Sequence, residues 1–251
     1  MKLETRSKAK NAVRTLVVAI VVGLFLGFLF LNLYSLPPAT RFEKWYGNWR
    51  SVIIVTAVFL LFIFFLTRPR RSGEWQGAGL TTAFFISLFT EMFGIPLTIY
   101  LIAPLLGVDV SRFGMYESHL WAYLISRAGY VSMRAALRFI MIVSAGLLLL
   151  GFTLIALGWK QVYRGAGRLV TDGIYARIRH PQYLGLLLVI AACLIQWPTV
   201  LTILLAPFMI ARYLLLAREE DRDLEARFGE EFSRYKQRVP SLFPLRRDSS
   251  S

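Results

Sequence analysis

Cysteine is almost missing from these 251 residues: the single one, Cys193, lies inside an apolar run. No disulfide can close within the chain and no cysteine-based metal site can form. Histidine is nearly as scarce, with only His119 and His180. Several catalytic signatures are also absent. There is no Walker A sequence, no HExxH, no CxxC and no Gly-x-Ser-x-Gly, which removes the usual phosphate cradle, zinc peptidase, dithiol and nucleophile-elbow chemistries. Gly165-Ala-Gly167 opens like a dinucleotide fingerprint, but the third glycine is missing and no strand–turn–helix pattern surrounds it. Acid is in short supply: 15 Asp and Glu against 29 Lys and Arg give a formal net charge of +14. Such a balance can mark a nucleic-acid partner. Here 56% of the residues are hydrophobic, and basic loops facing anionic lipid explain the charge better.

What is present is a series of long apolar runs. Thr15 to Leu33, Ser51 to Leu66, Leu80 to Leu106 and Ala135 to Leu157 are each read as a span, since about 20 apolar residues cross the hydrocarbon at about 1.5 Å per residue. The runs are apolar on every face, which argues for helices over a barrel. The first has the flanking charge of a signal peptide but is too long and lacks a cleavage site, so it is read as retained. Trp45, Tyr46 and Trp49 suit the headgroup level, and Arg68-Pro69-Arg70-Arg71 makes a basic stop. Asp109 to Met133 is mixed and amphipathic. Leu184 to Ile195 is short for a crossing and is followed by Gln196-Trp197-Pro198 and a second apolar run, Thr199 to Leu216. That pattern predicts an antiparallel helical hairpin.

From Arg218 the chain turns charged, with about half of its acids between there and Phe232. Alternating signs at helical spacing predict a surface helix ended by Gly229, followed by a basic tail from Lys236 to Arg247. The fold class is all-α: a polytopic membrane protein with about four spans, a C-terminal hairpin and a cytosolic surface helix. Residues 1–133 form the N-terminal part and 134–251 the part that carries the chemistry. The most basic segments fall on one side if both termini are cytoplasmic, in a setting such as a bacterial inner membrane.

Between two apolar segments, Gly167 to Gly185 concentrates turn residues, rings and cations. Asp172-Gly173 signals a turn. Pro181 pushes His180 out of the α region and opens a helix whose first N–H groups face a carboxylate or similar anion. Tyr175 and Tyr183 offer ring faces and hydroxyls for an adenine or a sulfonium; the same features also describe an interfacial anchor. Glu219 and Glu220 stand where the last apolar run meets water. They suit ribose hydroxyls or a cationic amine, and equally the charged turn of a surface helix. Arg212, within an apolar stretch, either snorkels or holds an anion. Glu91, in mid-span, is a functional group or the structural partner of an Arg. His119 reads as incidental.

The order of these blocks is recognisable. Leu169-Val-Thr-Asp-Gly-Ile-Tyr175, Arg179-His-Pro-Gln-Tyr183-Leu-Gly185, the hairpin, Glu219-Glu220, and Phe228-Gly-Glu-Glu-Phe-Ser-Arg-Tyr235-Lys-Gln-Arg-Val-Pro240 together resemble the isoprenylcysteine carboxyl methyltransferase family and its phospholipid-methyltransferase relatives. The likeness covers about the last third of the chain. It implies S-adenosylmethionine as methyl donor. It points to Gly167, Arg168, Leu169, Val170, Tyr175, His180, Pro181, Gln182, Tyr183 and Glu219 or Glu220 as cofactor-binding residues. The acceptor it implies is small or lipid-like: a prenylcysteine carboxylate, a phospholipid amine or a thiol. One departure stands out. Prenylcysteine-methylating members carry an Arg one turn before the Glu, whereas Leu215 and Leu216 occupy those positions here; Arg212 and Arg218 lack the spacing. An amine or thiol acceptor needs a base for its proton, and Glu91 or one of the glutamate pair is a candidate. Glu91, Arg212, Glu219 and Glu220 are therefore the candidate catalytic residues, with no metal. The alternatives are a sterol-reductase-like enzyme using NADPH and a non-catalytic membrane scaffold.

Overall fold

The computed structural model describes residues 46–67, 72–107, 109–110, 119–165 and 167–242. The expected span Thr15 to Leu33, the Arg68 to Arg71 stop and the end of the basic tail lie outside the described residues. Those described form eight α-helices: α1 (Trp49–Thr67), α2 (Ser72–Phe89), α3 (Leu97–Leu105), α4 (Leu120–Arg127), α5 (Met133–Gly165), α6 (Pro181–Gln196), α7 (Val200–Phe228) and α8 (Glu230–Arg238). A π-helical turn, Thr90–Gly94, follows α2, and a 3-10 turn, Gly173–Ala176, precedes α6. No strand forms among the described residues. This is an all-helical membrane protein. Helices α5 and α7 are each long and apolar enough to cross a bilayer. The chain divides into two compact units, Met1–Met141 with Trp197–Leu205, and Ile142–Gln196 with Ala206–Ser251.

In the first unit, the run Leu80 to Leu106 is not the single straight span its composition predicts. The helix widens into the π turn, where Ile95 N–H bonds to the Thr90 carbonyl at 2.9 Å. It then breaks at Pro96, which has no N–H to continue the ladder. The segments Gln76–Gly94 and Leu97–Leu105 are bent by 67°. The freed carbonyls find donors: Gly47 N–H reaches the Gly94 carbonyl at 2.9 Å and Asn48 N–H reaches that of Phe93 at 2.8 Å. Asn48 in turn caps α1, its Oδ1 accepting from Ser51 N–H at 3.1 Å. Each break in one helix thus satisfies the end of another. The start of α7 is closed by a reciprocal pair. Thr199 N–H donates to Thr202 Oγ1 and Thr202 N–H to Thr199 Oγ1, both at 3.1 Å, which is a capping box built from two threonines. His119, expected to be incidental, is buried and sets its ring edge against Trp197, with centroids 4.5 Å apart.

In the second unit, α5 and α6 approach backbone to backbone. A Cβ built on Gly151 would lie 2.7 Å from the Gly185 carbonyl, and one on Gly185 would lie 2.6 Å from that of Gly151. Only hydrogen fits at either position. Gly158, two turns along α5 from Gly151, leaves the same kind of space for the Gln182 side chain. Helix α6 starts at Pro181 as the His-Pro dipeptide predicts, and Leu184 N–H bonds to the His180 carbonyl at 3.1 Å. The charged stretch after Arg218 corrects the sequence reading. It is not a separate helix but the continuation of α7, because neither Gly nor Pro interrupts the run from Ala217 to Phe228. Gly229, at φ +53°, ends α7 where expected, and a further short helix, α8, follows.

Candidate active site

The second unit gathers most of the predicted loop. At the 3-10 turn, Gly173 takes a left-handed φ of +57°, a conformation glycine reaches without strain. This lets Ile174 N–H meet Gln161 Oε1 at 3.2 Å. Tyr175 is buried and works through its polar atoms. Its hydroxyl accepts from Gln182 Nε2 at 2.6 Å and donates to the Gly158 carbonyl at 3.4 Å. Its own carbonyl accepts from the Tyr235 hydroxyl at 2.7 Å. The ring face expected to be open to a ligand is instead enclosed, and the residue ties α5, α6 and α8 to the loop. Burial pushes the hydroxyls of Tyr175 and Tyr235 well above their ordinary range.

His180 is the centre of the polar cluster. Its Nε2 lies 2.9 Å from Asp221 Oδ1 and its Nδ1 3.4 Å from Glu220 Oε2. Its side chain is only 2% exposed. Burial alone lowers the pKa of such a ring, but its hydrogen bonds to the carboxylates of Asp221 and Glu220 outweigh it and hold His180 above its ordinary 6.5. With a carboxylate at each nitrogen, both ring nitrogens donate in the imidazolium form. Asp221 is shared: its Oδ2 lies 3.2 Å from Arg179 Nη2. Nε and Nη1 of Arg179 are buried and have no hydrogen-bond partner among the described residues. The C-terminal segment straps this dipeptide down. Arg179 N–H donates to the Pro240 carbonyl and His180 N–H to that of Ser241, both at 3.0 Å. Leu242 then packs with Leu154, Ile178 and Leu184.

Tyr183 stacks on His180 at 5.7 Å between centroids and leans on Tyr213 at 6.0 Å. Contacts between the start of α6 and the polar half of α7 make the two helices antiparallel, as the hairpin pattern predicts. Glu219 and Glu220 part ways. Successive residues of a helix diverge by about 100°, so Glu220 turns to His180 while Glu219 pairs with Arg212, Nη1 to Oε1 at 3.0 Å and Nη2 to Oε2 at 3.4 Å. Both glutamates keep about half of their side chains exposed, 48% and 47%. Arg212 is thus occupied by a carboxylate of its own helix. Of the preceding loop, Gly167 offers its carbonyl to Arg227 Nη2 at 3.1 Å. Arg168 is exposed, Val170 is half-buried, and Leu169 packs on the Phe232, Tyr235 and Val239 cluster. Glu91 belongs to the first unit.

Two residues of the cluster, Arg179 and Asp221, are absent from the sequence-predicted set. A signal for Asp221 exists. Met209, Tyr213, Leu216 and Ala217 are the buried stripe of α7, and helical spacing carries that stripe on to Glu220 and Asp221 while leaving Glu219 outside.

Residues 128–226 match the model of the isoprenylcysteine carboxyl methyltransferase (ICMT) family. The matched stretch holds the loop, the hairpin, His180 and all three acids Glu219 to Asp221. That stretch is similar to the family, and the chain is a methyltransferase. Among relatives of this ICMT-like chain, methanethiol S-methyltransferase 2 of Bradyrhizobium diazoefficiens is 25% identical over 234 residues, covering 90% of the chain and 73% of that protein. Methanethiol S-methyltransferase 1 of the same organism is 36% identical over 91 residues, 32% of the chain and 27% of that protein. Protein-S-isoprenylcysteine O-methyltransferase of Schizosaccharomyces pombe is 33% identical over 78 residues, 31% of the chain and 33% of that protein.

Proposed function

We propose that this ICMT-like chain is an integral membrane enzyme that takes a methyl group from S-adenosylmethionine and passes it to a small thiol. The observation that carries the cofactor reading is the meeting of His180, Tyr183, Glu220 and Asp221 beside two buried Arg179 N–H groups without hydrogen-bond partners among the described residues. Buried donors left open are costly unless a ligand takes them, and Nε and Nη1 suit an anionic group such as the cofactor's carboxylate. The half-exposed carboxylates of Glu219 and Glu220 suit its cationic amine or ribose hydroxyls. The donor set therefore fits the group. When bound, the cofactor supplies a methyl carbon on cationic sulfur, open to in-line displacement. The protein's part is chiefly positioning, with one of the half-exposed glutamates, Glu219 or Glu220, taking the thiol's proton as the thioether forms. Asp221 fixes His180 and Arg179 together, Glu220 holds the other face of the imidazole, and the 239–242 strap keeps both backbones in register.

Two observations favour a thiol over a prenylcysteine carboxylate. The relative that matches nearly the whole chain is named for methanethiol. No Arg stands one turn before Glu219 or Glu220, and Arg212, one of the two nearest cations, is engaged by Glu219. We place the basic loops and both termini on the cytoplasmic side of a bacterial inner membrane, by the distribution of Lys and Arg. Calorimetric titration of the purified chain with S-adenosylhomocysteine tests the cofactor. Micromolar binding that weakens in His180→Ala and Glu220→Ala is expected; no binding to folded protein overturns the reading. Incubation with labelled S-adenosylmethionine and either ethanethiol or farnesylcysteine tests the acceptor. Thioether formation is expected, and methyl ester formation alone overturns the thiol assignment.

A further inference from the structure

Methylation of a thiol needs a place for the thiol's proton, and a carboxylate beside the reacting atoms is the simplest acceptor for it. The candidate acids are held in different ways. Glu91 stands in the first unit, where its Oε2 accepts from Thr98 N–H at 2.8 Å and caps the start of α3. Asp221 has both oxygens on cations, and Glu220 turns to His180 Nδ1. Glu219, the residue before them, meets Arg212 instead.

That ion pair spans two turns of one helix. Seven residues cover about 10 Å of helix axis, so both side chains must reach along α7 to close it. Helical side chains lean toward the N-terminus, which carries the Glu219 carboxylate back toward the apolar half of α7. Arg212 keeps only 14% of its side chain exposed, in a stretch where a charged group is costly. A leucine there would cost less and would leave Glu219 to the solvent. Phe208, Arg212, Leu215 and Glu219 follow one another on one face, and Phe208 and Leu215 are exposed beside the pair. The pair thus presents a carboxylate on an otherwise apolar face, where an apolar thiol arrives. Glu220, whose Cα is about 3.8 Å along the chain, lies 3.4 Å from His180, so a thiol held at Glu219 borders the His180 cluster.

We infer that Glu219 is the catalytic base that takes the thiol's proton and that Arg212 is the positioning residue that holds its carboxylate for the task. This rests on the thiol reading above. Arg212 donates to each carboxylate oxygen and leaves lone pairs free for the S–H group. As the thiol sulfur bonds to the methyl carbon, the bond from that carbon to the sulfonium breaks. Its electron pair stays on the departing sulfur, and the S–H proton passes to Glu219. One positive and one negative charge disappear together, which favours the step where water is scarce. Glu220 is left to His180 and the cofactor, so the two glutamates divide the work.

Two thiols of nearly the same size test this: ethanethiol and the far more acidic 2,2,2-trifluoroethanethiol, which needs little help to ionise. Glu219→Gln is expected to lower kcat/KM about a hundredfold for ethanethiol and by no more than about tenfold for trifluoroethanethiol. Arg212→Leu is expected to show the same bias more weakly, and Arg212→Lys to recover part of the loss. S-adenosylhomocysteine affinity is expected to hold in all three. Without turnover, the infrared S–H band of ethanethiol added to the S-adenosylhomocysteine complex is expected to move to lower frequency in the native chain, and the shift to shrink in Glu219→Gln. An equal fall for both thiols marks a structural role and overturns the proposal. So does full ethanethiol turnover, or an undiminished S–H shift, in Glu219→Gln. If Glu219→Gln fails to fold, Glu219→Asp replaces it, and an unbiased effect on the two thiols there is equally decisive. A native chain that binds S-adenosylhomocysteine but methylates neither thiol overturns the thiol reading itself. One that methylates both, with variants that show no bias, overturns the base alone.

Discussion

Asp221 and Glu91 are both buried carboxylates in a largely apolar chain, yet they are satisfied in different ways. Asp221 spends both oxygens on cations, Oδ1 on His180 and Oδ2 on Arg179. Glu91 spends one oxygen on a backbone N–H and leaves the other unused. In low dielectric a saturated ion cluster is rigid, and removing one member strands the rest. A carboxylate held by a single neutral donor has acceptor capacity left. The comparison thus assigns Asp221 to holding a cluster of cations in shape and Glu91 to holding the start of α3.

The sharpest way to break this contrast is to remove each acid. Asp221→Ala leaves a buried imidazolium and a buried guanidinium without their shared partner, and a loss of about 3–5 kcal/mol is expected, as for breaking a buried ion pair. Unfolding of the detergent-purified chain by denaturant measures it. Glu91→Gln, which preserves the cap, is expected to cost about 1 kcal/mol or less. Equal losses in the two variants would dissolve the distinction. The next effect concerns the packing beneath the His180 cluster. Gly185→Ala drives a methyl into the Gly151 carbonyl, so α5 and α6 must separate, at about 1–3 kcal/mol. S-adenosylhomocysteine affinity is expected to fall with it. Unchanged affinity would show that this packing does not hold the His180 cluster in shape.

His180 gives a smaller, pH-dependent signature. Its folded-state pKa lies above the ordinary 6.5, so its contribution to stability is fully present below pH 6.5 and is lost as pH rises through the folded-state value. The thermal midpoint of the native chain is expected to decline across that interval, and His180→Gln to flatten the decline. A native chain with no slope there would show that the two carboxylates do not hold the proton.

Much of this arrangement is legible in the sequence, for identifiable reasons. The start of α6 follows from the His-Pro dipeptide, its antiparallel return from the Trp197-Pro198 break, and the end of α7 from Gly229. Each is a local steric rule. What was missed depends on which side of a helix faces inward. Three consecutive acids, Glu219 to Asp221, read alike in composition; only the buried stripe ahead of them separates the one that pairs with Arg212 from the two that meet His180. Tyr175 was expected to present its ring and instead uses its hydroxyl and carbonyl, because a Tyr that ties three helices together has no face left over. The break at Pro96 was visible as a proline, but apolar composition on both sides favoured one continuous span. Proline and the π turn together decide otherwise.

The weakest contrast is between the buried cluster and an exposed pair on the same polar end of the unit. Lys236 Nζ lies 3.1 Å from Glu225 Oε2, and Ser233 Oγ donates to Oε1 at 3.2 Å. The Lys236 hydrogen bond, seconded by that of Ser233, holds the Glu225 carboxyl below its ordinary 4.5. Its contribution is therefore present above pH 4.5 and is lost as pH falls through the lowered value, on the opposite side of neutrality from that of His180. Solvent and salt screen an exposed pair, and two long side chains must be ordered to make it. Lys236→Ala is accordingly expected to return the Glu225 titration toward 4.5, read by carbon-detected NMR of the carboxyl, with no resolvable change in the thermal midpoint at physiological salt. If Lys236→Ala destabilises the chain as Asp221→Ala does, then burial is not what makes the His180 cluster strong, and the difference between its acids and the exposed ones lies in the network rather than in the dielectric.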